Sequence, residues 1–469
     1  MKKNYDGTVS FSPSDLIVYM GSPFASWMAR LEIDHPEQVK GIEKDHDEMK
    51  NFLGDKGKEH EDLFLQYLRE DYGAENIAEI DPGGSLPDKL EATIIAMKAG
   101  YKVIFQAYLE RDHFGGYSDF LVRREGKSEL GTYYYEAWDT KLAKTTRPYF
   151  LVQLCCYSWM LEKIQGKVPD EAVVILGDKT KDRFRIAAYY SYFQNLKQQF
   201  LQVQESFTGA ENTMPDLSLE TNFGTWGDYA QQLLDQSDSL ALVANIRKKQ
   251  IQHLYKHDVT TLTQLAKTKD TEIEGISPES LAKIKAQADI QLRSRGQDKP
   301  YFTVIDNDNG KGLSSLPEPS DLDMFFDIEG NPFGDNGLEY LWGVSYHNPN
   351  AAQGKEYAFK DWWAHDQKQE QLAFEGFIDW TYERWQQDKT MHVYHYANYE
   401  IAAIRRLSTR NQTRLEEVSE LLQNGVFIDL YKIVKNGLLI GEPSYSIKNV
   451  EHLYRGIRTT DVARGDESI

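Results

Sequence analysis

Along this chain the spacing of apolar side chains changes several times, and each change marks an element. From about residue 10 to 75 the spacing is helical, opening on the cap-like "SPSDL". In "DKGKEHEDLFLQYLRED", His60, Leu63, Phe64, Tyr67 and Leu68 recur at i, i+3, i+4, i+7 and i+8, the inward stripe of an amphipathic helix. Residues 89–99 form another helix, stopped by Gly100. Then the period falls to two in "KVIFQAYLE", "GGYSDFLVRR" and "YYYEAWDTKLA", which read as strands. "RPYFLVQLCCYSWMLEKIQG" returns to helix, with Pro148 at its start and Gly166 just past its end. "EAVVILG" and "RFRIAAYY" read as two further strands.

Beyond residue 225 the strand pattern stops. Residues 226–300 are helical in spacing, and from 241 to 300 they carry 11 Lys and Arg against 7 Asp and Glu. After a loop at 306–321, alternation resumes. "MFFDIEG" and "YLWGVSY" are strands, "EQLAFEGFIDWTYERW" is a helix, and "HVYHYANYE" is a strand running into the helix "IAAIRRL". The pattern therefore predicts a multidomain α/β chain: an α/β unit with a mostly antiparallel centre at 1–225, a helical region at 226–300 and a further α/β layer at 301–469.

Composition narrows the function. The 469 residues are 41% hydrophobic and 27% charged, as in a packed globular protein. A net charge of −20 argues against coating nucleic acid by charge alone, though a locally basic groove remains open to it. The two cysteines, Cys155 and Cys156, are adjacent and offer neither a disulfide framework nor a cluster-binding spacing. No apolar leader and no run long enough to cross a bilayer occurs, so the expectation is a cytoplasmic protein with no membrane partner.

The chemistry gathers at the end of "YYYEAWDTKLA". Period two puts Asp139 and Lys141 on one face. If this strand and "GGYSDFLVRR" form a hairpin centred near Glu129, opposed residues sum to 258, and Asp119 faces Asp139. Opposed carboxylates repel unless positive charge stands between them. A divalent cation and Lys141 would supply it. Gln153 and Tyr157 share one face of the following helix.

"GKEHE", "GYSDFL", "EAWDTKLA" and "QLCCY" occur in the order and spacing of the RecB-like branch of the PD-(D/E)xK nucleases, which residues 10–200 resemble. The resemblance implies a restriction-endonuclease-like core. It also implies His60, Asp119 and Asp139 as ligands of Mg²⁺ or Mn²⁺, Lys141 as the residue that positions and activates the attacking water, and Gln153 and Tyr157 as the helix pair holding the site. A lysine of depressed pKa would suit that role. Some relatives hold an iron–sulfur cluster on four cysteines; "GSPFASW" has none, so no cluster is expected.

A second acidic set follows. "FFDIEGNPF" puts Asp327 and Glu329 on one strand face, Glu400 stands at a strand-to-helix junction, and Asp429 lies in "FIDLYKIV". The set is similar to the RNase H-like exonuclease superfamily of the four-acid (DEDD) type. The similarity implies two-metal chemistry on Asp327, Glu329 and Glu400, the last a Glu where an Asp would stand, with Asp429 not a ligand. The fourth acid should lie beyond "TTDVARGDESI", so this domain is expected to be incomplete at its C-terminus and its site weak as given. Related fused chains often continue into a helicase, so a helicase partner or a further helicase region is expected. No phosphate-binding G-x-x-x-x-G-K-[ST] occurs here.

The region "LYKHDVTTLTQLAKTKDTEIEGISPESLAKI" resembles helix–hairpin–helix modules. It has one glycine, Gly275, where two would be expected, and the likeness implies backbone contacts from Lys283 and Lys285. A helical spacer is the competing reading. Taken together, the expectation is a metal-dependent nuclease acting on DNA, with RNA as the other candidate, on single strands or at ends. The alternative is a non-catalytic nucleic-acid-binding or scaffold protein built on nuclease folds.

Overall fold

The computed structural model describes residues 1–4, 6–45, 48–305, 310–331, 337–348 and 356–456, the side chains of 48–53 excepted. The chain divides into two compact units, Met1–Leu234 and Asp235–Ile469.

In the first unit a short pair, β1 (Lys2–Lys3) and β2 (Val9–Ser10), precedes the helices α1 (Pro13–Gly21), α2 (Pro23–Asp34) and α3 (Glu48–Tyr72). Then come β3 (Ile77–Glu79), α4 (Leu86–Ala99), β4 (Val103–Arg111), β5 (Phe114–Ser128), β6 (Gly131–Thr140), α5 (Pro148–Gln165), β7 (Glu171–Ile175), β8 (Lys181–Arg185), α6 (Ala187–Glu205) and α7 (Gly227–Gln236). The strands β3 to β8 form one sheet in sequence order. The hairpins β4–β5 and β5–β6 are antiparallel, as is β7–β8, while β3–β4 and β6–β7 run parallel.

Two cores sandwich this sheet. Phe64, Leu65 and Leu68 of α3 pack with Phe120, Val122, Trp138 and Val173. Leu16 of α1, Met97 of α4, much of α5 and Phe193 of α6 pack with Ile104, Leu121, Tyr135 and Ala137. Both helix stops expected at glycine are found: Gly100 and Gly166 take left-handed φ of 77° and 64° at the ends of α4 and α5.

Three expectations need correction. The helical stretch at 10–75 is interrupted after Asp34, where His35 caps α2 and Pro36 follows. The strand "RFRIAAYY" ends at Arg185, because the following side chains repeat at helical spacing and form α6. On α3, Leu63 and Tyr67 are 54% and 46% exposed, and the inward stripe is His60, Phe64, Leu65 and Leu68. That small rotation about the helix axis decides which carboxylate faces the sheet.

The second unit begins with α8 (Lys248–Tyr255), α9 (Leu262–Lys267) and α10 (Pro278–Ser294). Between α9 and α10 a tight turn bridges Ile273 and Ile276 across Gly275, whose φ is 85°. The ring of His253 stands so close that any Cβ at Gly275 would overlap it. Two short strands, β9 (Phe302–Val304) and β15 (Leu438–Ile440), pair with each other. Gln287 of α10 donates to Ile440 O at 2.9 Å and accepts from the Tyr445 hydroxyl, so α10 is tied to the β15 segment.

The larger sheet of this unit has the order β12 (Tyr357–Trp363), β11 (Leu338–His347), β10 (Met324–Asn331), β13 (Val393–His395), β14 (Phe427–Asp429). Its first three strands are antiparallel to one another, and β13 and β14 join parallel. The helices α11 (Gln367–Gln387), α12 (Tyr399–Asn411) and α13 (Leu415–Gln423) pack on one face through Phe374, Phe377, Ile404 and Leu421. The helix α14 (Leu430–Gly437) follows β14, and α15 (Ile447–Val450) follows β15. Of the loop expected at 306–321, residues 306–309 lie outside the described residues, and so do residues 457–469, which include most of the stretch preceding the expected fourth acid. No helix among the described residues is long and apolar enough to cross a membrane.

Candidate active sites

The first site forms where β4, β5 and β6 lose their regularity together. The β5–β6 register sums to 258 from Glu125↔Tyr133 to Phe120↔Trp138, after a one-residue shift from Ser128↔Gly131 at the loop. The β4–β5 ladder runs continuously except at Gln106 opposite Asp119. Gln106 has φ of 52°, a left-handed conformation inside a strand. At this break the side-chain alternation changes phase: Ile104 and Ala107 join the same core, as do Leu121 and Phe114. Beyond Trp138, β6 continues against β7. Asp119 fills the gap between β5 and β6, accepting from both the backbone N–H and the hydroxyl of Thr140 at 2.7 Å.

Asp139 is fully buried. Its Oδ1 accepts from Gln153 Nε2 at 3.2 Å, and its Oδ2 pairs with Lys141 Nζ. Gln153 is also 3.3 Å from the Tyr157 hydroxyl, which donates to Tyr117 O. Gln153 thus reaches Asp139 at the strand end, and Tyr157 reaches Gln153. Burial pushes the Asp139 carboxyl up, Lys141 pulls it down, and Asp119 pushes it up again; it is raised overall. Burial lowers the Lys141 ammonium, but Asp139 and Asp119 outweigh it, so Lys141 is raised. Two carboxylates beside Lys141 favour its charged form.

Glu61 belongs to this site and was not anticipated. It follows His60 on α3 and accepts from Gln106 Nε2. Burial, then Asp119, push its carboxyl up to about 7, with Gln106 pulling the other way and Asp139 adding to the rise. In sequence it looks like an ordinary solvent-side glutamate; only the slight rotation of α3 turns it inward. His60 is buried, and its Nε2 has no hydrogen-bond partner among the described residues. Among the described residues no hydrogen bond or ion pair joins it to Asp119 or Asp139.

The second site lies on β10. Met324, Phe326 and Ile328 enter the core, while Phe325, Asp327 and Glu329 occupy the opposite, exposed face. Ala397, at φ of 75° and held by its N–H to Asp429 Oδ1 at 3.0 Å, turns the chain from β13 into α12 and places Glu400 in the first helical turn. Glu400 is buried, with Oε2 3.6 Å from His395 Nδ1, and neither atom has a hydrogen bond among the described residues. Asp327 is partly open to solvent, yet the protein mass around its carboxyl, then Glu400 and Glu329, push it up to about 6. Asp429 caps α14 through Tyr431 N and faces Lys432 at 3.3 Å. Behind the site, Tyr399 donates to buried Glu339 at 2.8 Å.

On α10, Lys283 pairs with Glu279 at 2.7 Å and Lys285 donates to Asp270 O at 2.7 Å. Lys283 is exposed and Lys285 half-buried, and both are hydrogen-bonded within their own segment.

Among the described residues, no three His, Cys, Asp or Glu side chains meet as a ready-made cation cage. The donor chemistry nevertheless fits a hard divalent ion. Glu61, Asp119 and Asp139 in one unit, and Asp327, Glu329 and Glu400 in the other, are oxygen donors; burial first, and neighbouring carboxylates after it, raise Glu61, Asp139 and Asp327.

Residues 324–469 match the model of the RNase_H superfamily, RNase_H_2. The C-terminal region is thus RNase H-like, a class of domain generally concerned with nucleic-acid hydrolysis. No curated protein matches the chain.

Proposed function

We propose that this protein is a metal-dependent nuclease acting on DNA, on single strands or at ends, in DNA processing or repair, with its principal chemistry at the end of β6. One observation carries this reading. A fully buried Asp139 is ion-paired to Lys141, with the charges of Asp119 and Glu61 close enough to be felt, beside the break in the β4–β5 ladder at Gln106. A structural ion pair needs neither the additional acids nor the left-handed Gln106.

In this reading Asp119, Asp139 and Glu61 would hold Mg²⁺ or Mn²⁺, with His60 nearby on α3. Such an ion would supply a nucleophile at neutral pH and offset charge on the phosphoryl oxygens. The chain's own residues do the rest. Lys141, kept charged by its carboxylates, orients the attacking water and faces the developing negative charge. Glu61, held by Gln106 through one carboxylate oxygen, would complete the carboxylate set with Asp119 and Asp139. Gln153 and Tyr157 lock the Asp139 carboxylate in place. The RNase H-like region would offer a second cation site on Asp327, Glu329 and Glu400. The segment 226–300, with Lys283 and Lys285, would grip the nucleic-acid backbone, and a helicase would be the natural partner.

The lack of a closed three-ligand cage among the described residues favours a second reading, a nucleic-acid-binding protein without catalysis. A titration of Mg²⁺ and Mn²⁺ against labelled single-stranded DNA separates the two. Cation-dependent cleavage lost in Lys141→Ala supports the nuclease; binding without cleavage at any cation concentration leaves the scaffold reading.

A further inference from the structure

The loop leaving Lys141 leads to a recess that neither acidic set uses. Residues Thr146 to Val152, at the start of α5, face β8 and the start of α6 across a cavity of about 360 Å³. Its walls include Arg147, Leu151, Phe184, Tyr189 and Tyr192. Three features suit one ligand chemistry. Tyr192 and Tyr189 are 55% and 38% exposed although they border a pocket, so their ring faces are available for stacking. Phe184 stands edge-on to Tyr189, with ring centroids 6.2 Å apart, and backs the aromatic wall. Arg147 is exposed on the rim and makes no ion pair or hydrogen bond through its side chain among the described residues. In a chain of net charge −20 that also binds most of its interior arginines to acids, an uncommitted guanidinium beside a tyrosine wall is well placed for an anionic, aromatic ligand.

The recess is held in fixed relation to the β6 site. Lys141 Nζ lies 5.5 Å from the centre of the Phe150 ring, and Phe150 N–H bonds Arg147 O at 3.0 Å within the first turn of α5. Tyr149, next to Phe150, is 42% exposed and near enough to Lys141 to influence its charge. The connecting loop is pinned to β8 by Thr146 Oγ1, which donates to Asp182 Oδ2 at 2.7 Å. A strand whose phosphate lay at Lys141 would therefore pass this recess at a set distance from the cut.

We propose that the recess between α5 and α6 is a nucleotide subsite: an unpaired base of the substrate strand stacks on Tyr192 and Tyr189, and its phosphate pairs with Arg147. Stacking on an aromatic face accepts any base, so the subsite selects for an unpaired strand rather than for a sequence. Paired bases are not free to enter, so the subsite disfavours intact duplex. The inference rests on the nuclease reading of the β6 site, and it goes beyond that reading by naming what secures the single strand.

The test moves one abasic position along a labelled single-stranded oligodeoxynucleotide. Affinity is measured with Ca²⁺ replacing Mg²⁺, and cleavage is measured with Mg²⁺. With the full chain, one abasic position at a fixed distance from the cut should weaken binding about 10-fold, the scale of one lost stacking contact. Tyr192→Ala should weaken binding of the intact strand by a similar factor and erase the penalty at that position, while Tyr192→Phe restores it. Arg147→Ala should raise KM with kcat little changed. Because Tyr192 is more than half exposed, its loss should leave the fold intact, which a melting curve checks. If the strand binds and is cut but no position stands out, or if Tyr192→Ala keeps the same positional penalty, the subsite is overturned and the nuclease reading survives. If no strand binds and none is cut, both fall.

Discussion

The two acidic sites differ chiefly in where their positive charge comes from. At the end of β6 the chain carries its own: Lys141 is two residues from Asp139 and paired to it, inside a core where Asp139 meets no solvent. On β10, Asp327, Glu329 and Glu400 have no lysine or arginine among them. Among the described residues His395 stands 3.6 Å from Glu400. A buried carboxylate with a built-in ammonium can fold charged and wait for substrate. Carboxylates without one sit better on an open strand face, where water and ions reach them. Burial differs with counter-charge: Asp139, with its own ammonium, lies fully inside, whereas Asp327 and Glu329 lie on an exposed strand face and Glu400 is buried beside His395.

The largest test of this contrast is catalytic. Lys141→Ala should lower cleavage by roughly 10²–10⁴-fold, the range for a removed acid–base or positioning group. Cation affinity, followed by titration calorimetry, should hold or rise, since a positive neighbour has gone. Rescue of the rate by added Mn²⁺ would remove Lys141 from the chemistry. Asp139→Asn should behave in the opposite way, losing cation affinity and regaining part of its rate at high Mn²⁺.

Stability sharpens the comparison next. In chelator, Asp139→Asn strands Lys141, whose side chain is 23% exposed. A fully buried broken pair costs about 3–5 kcal/mol, and partial exposure reduces that to about 1–3 kcal/mol. At about 2–4 °C per kcal/mol for a unit of this size, the first transition should fall by several degrees. Asp327→Asn instead removes repulsion from Glu400 and Glu329 and should leave its unit's melting temperature unchanged or slightly raised. Equal losses in both variants would break the contrast.

A smaller effect should appear with pH. Glu61 is raised from 4.5 to about 7, so the folded chain holds a proton that the unfolded chain releases. Its contribution to stability is full below pH 4.5 and is lost as pH rises to about 7. Asp327 acts in the same direction between 3.8 and about 6. In chelator, melting temperature should therefore decline across these windows. Glu61→Gln should flatten the decline in the first unit, Asp327→Asn in the second, and Mg²⁺ should flatten both. No difference between Glu61→Gln and the parent would place Glu61 outside the cluster.

The smallest expected change concerns the helical segment. Reversing Lys283 and Lys285 to Glu should weaken strand binding evenly across sequences and reduce the salt slope by about one per lost phosphate contact, without altering the cation dependence of cleavage. Unchanged binding would make α10 a spacer that serves neither site.

Period and punctuation decided much of this molecule. Gly100, Pro148 and Gly166 bound their helices as local backbone preference requires, and the β5–β6 hairpin, after an irregularity between Glu125 and Ser128, brings Asp119 near the level of Asp139. The pairing of Asp139 with Lys141 and the reach of Gln153 were legible because period two and i, i+4 spacing are local rules. The phase change at Gln106 was not, because a left-handed residue within a strand leaves no trace in an apolar pattern and persists only where surrounding contacts hold it. Nor was Glu61. A rotation of α3 small enough to keep Phe64 and Leu68 buried exchanges Tyr67 for Leu65 and turns a glutamate toward Asp119. The charge on Lys141 was decided in the same way, since a pKa is set by every neighbour in space and two of its carboxylate neighbours come from different strands. Sequence spacing ties side chains to their own element; which element's face meets which is settled by close packing of the core, and that packing placed the acids.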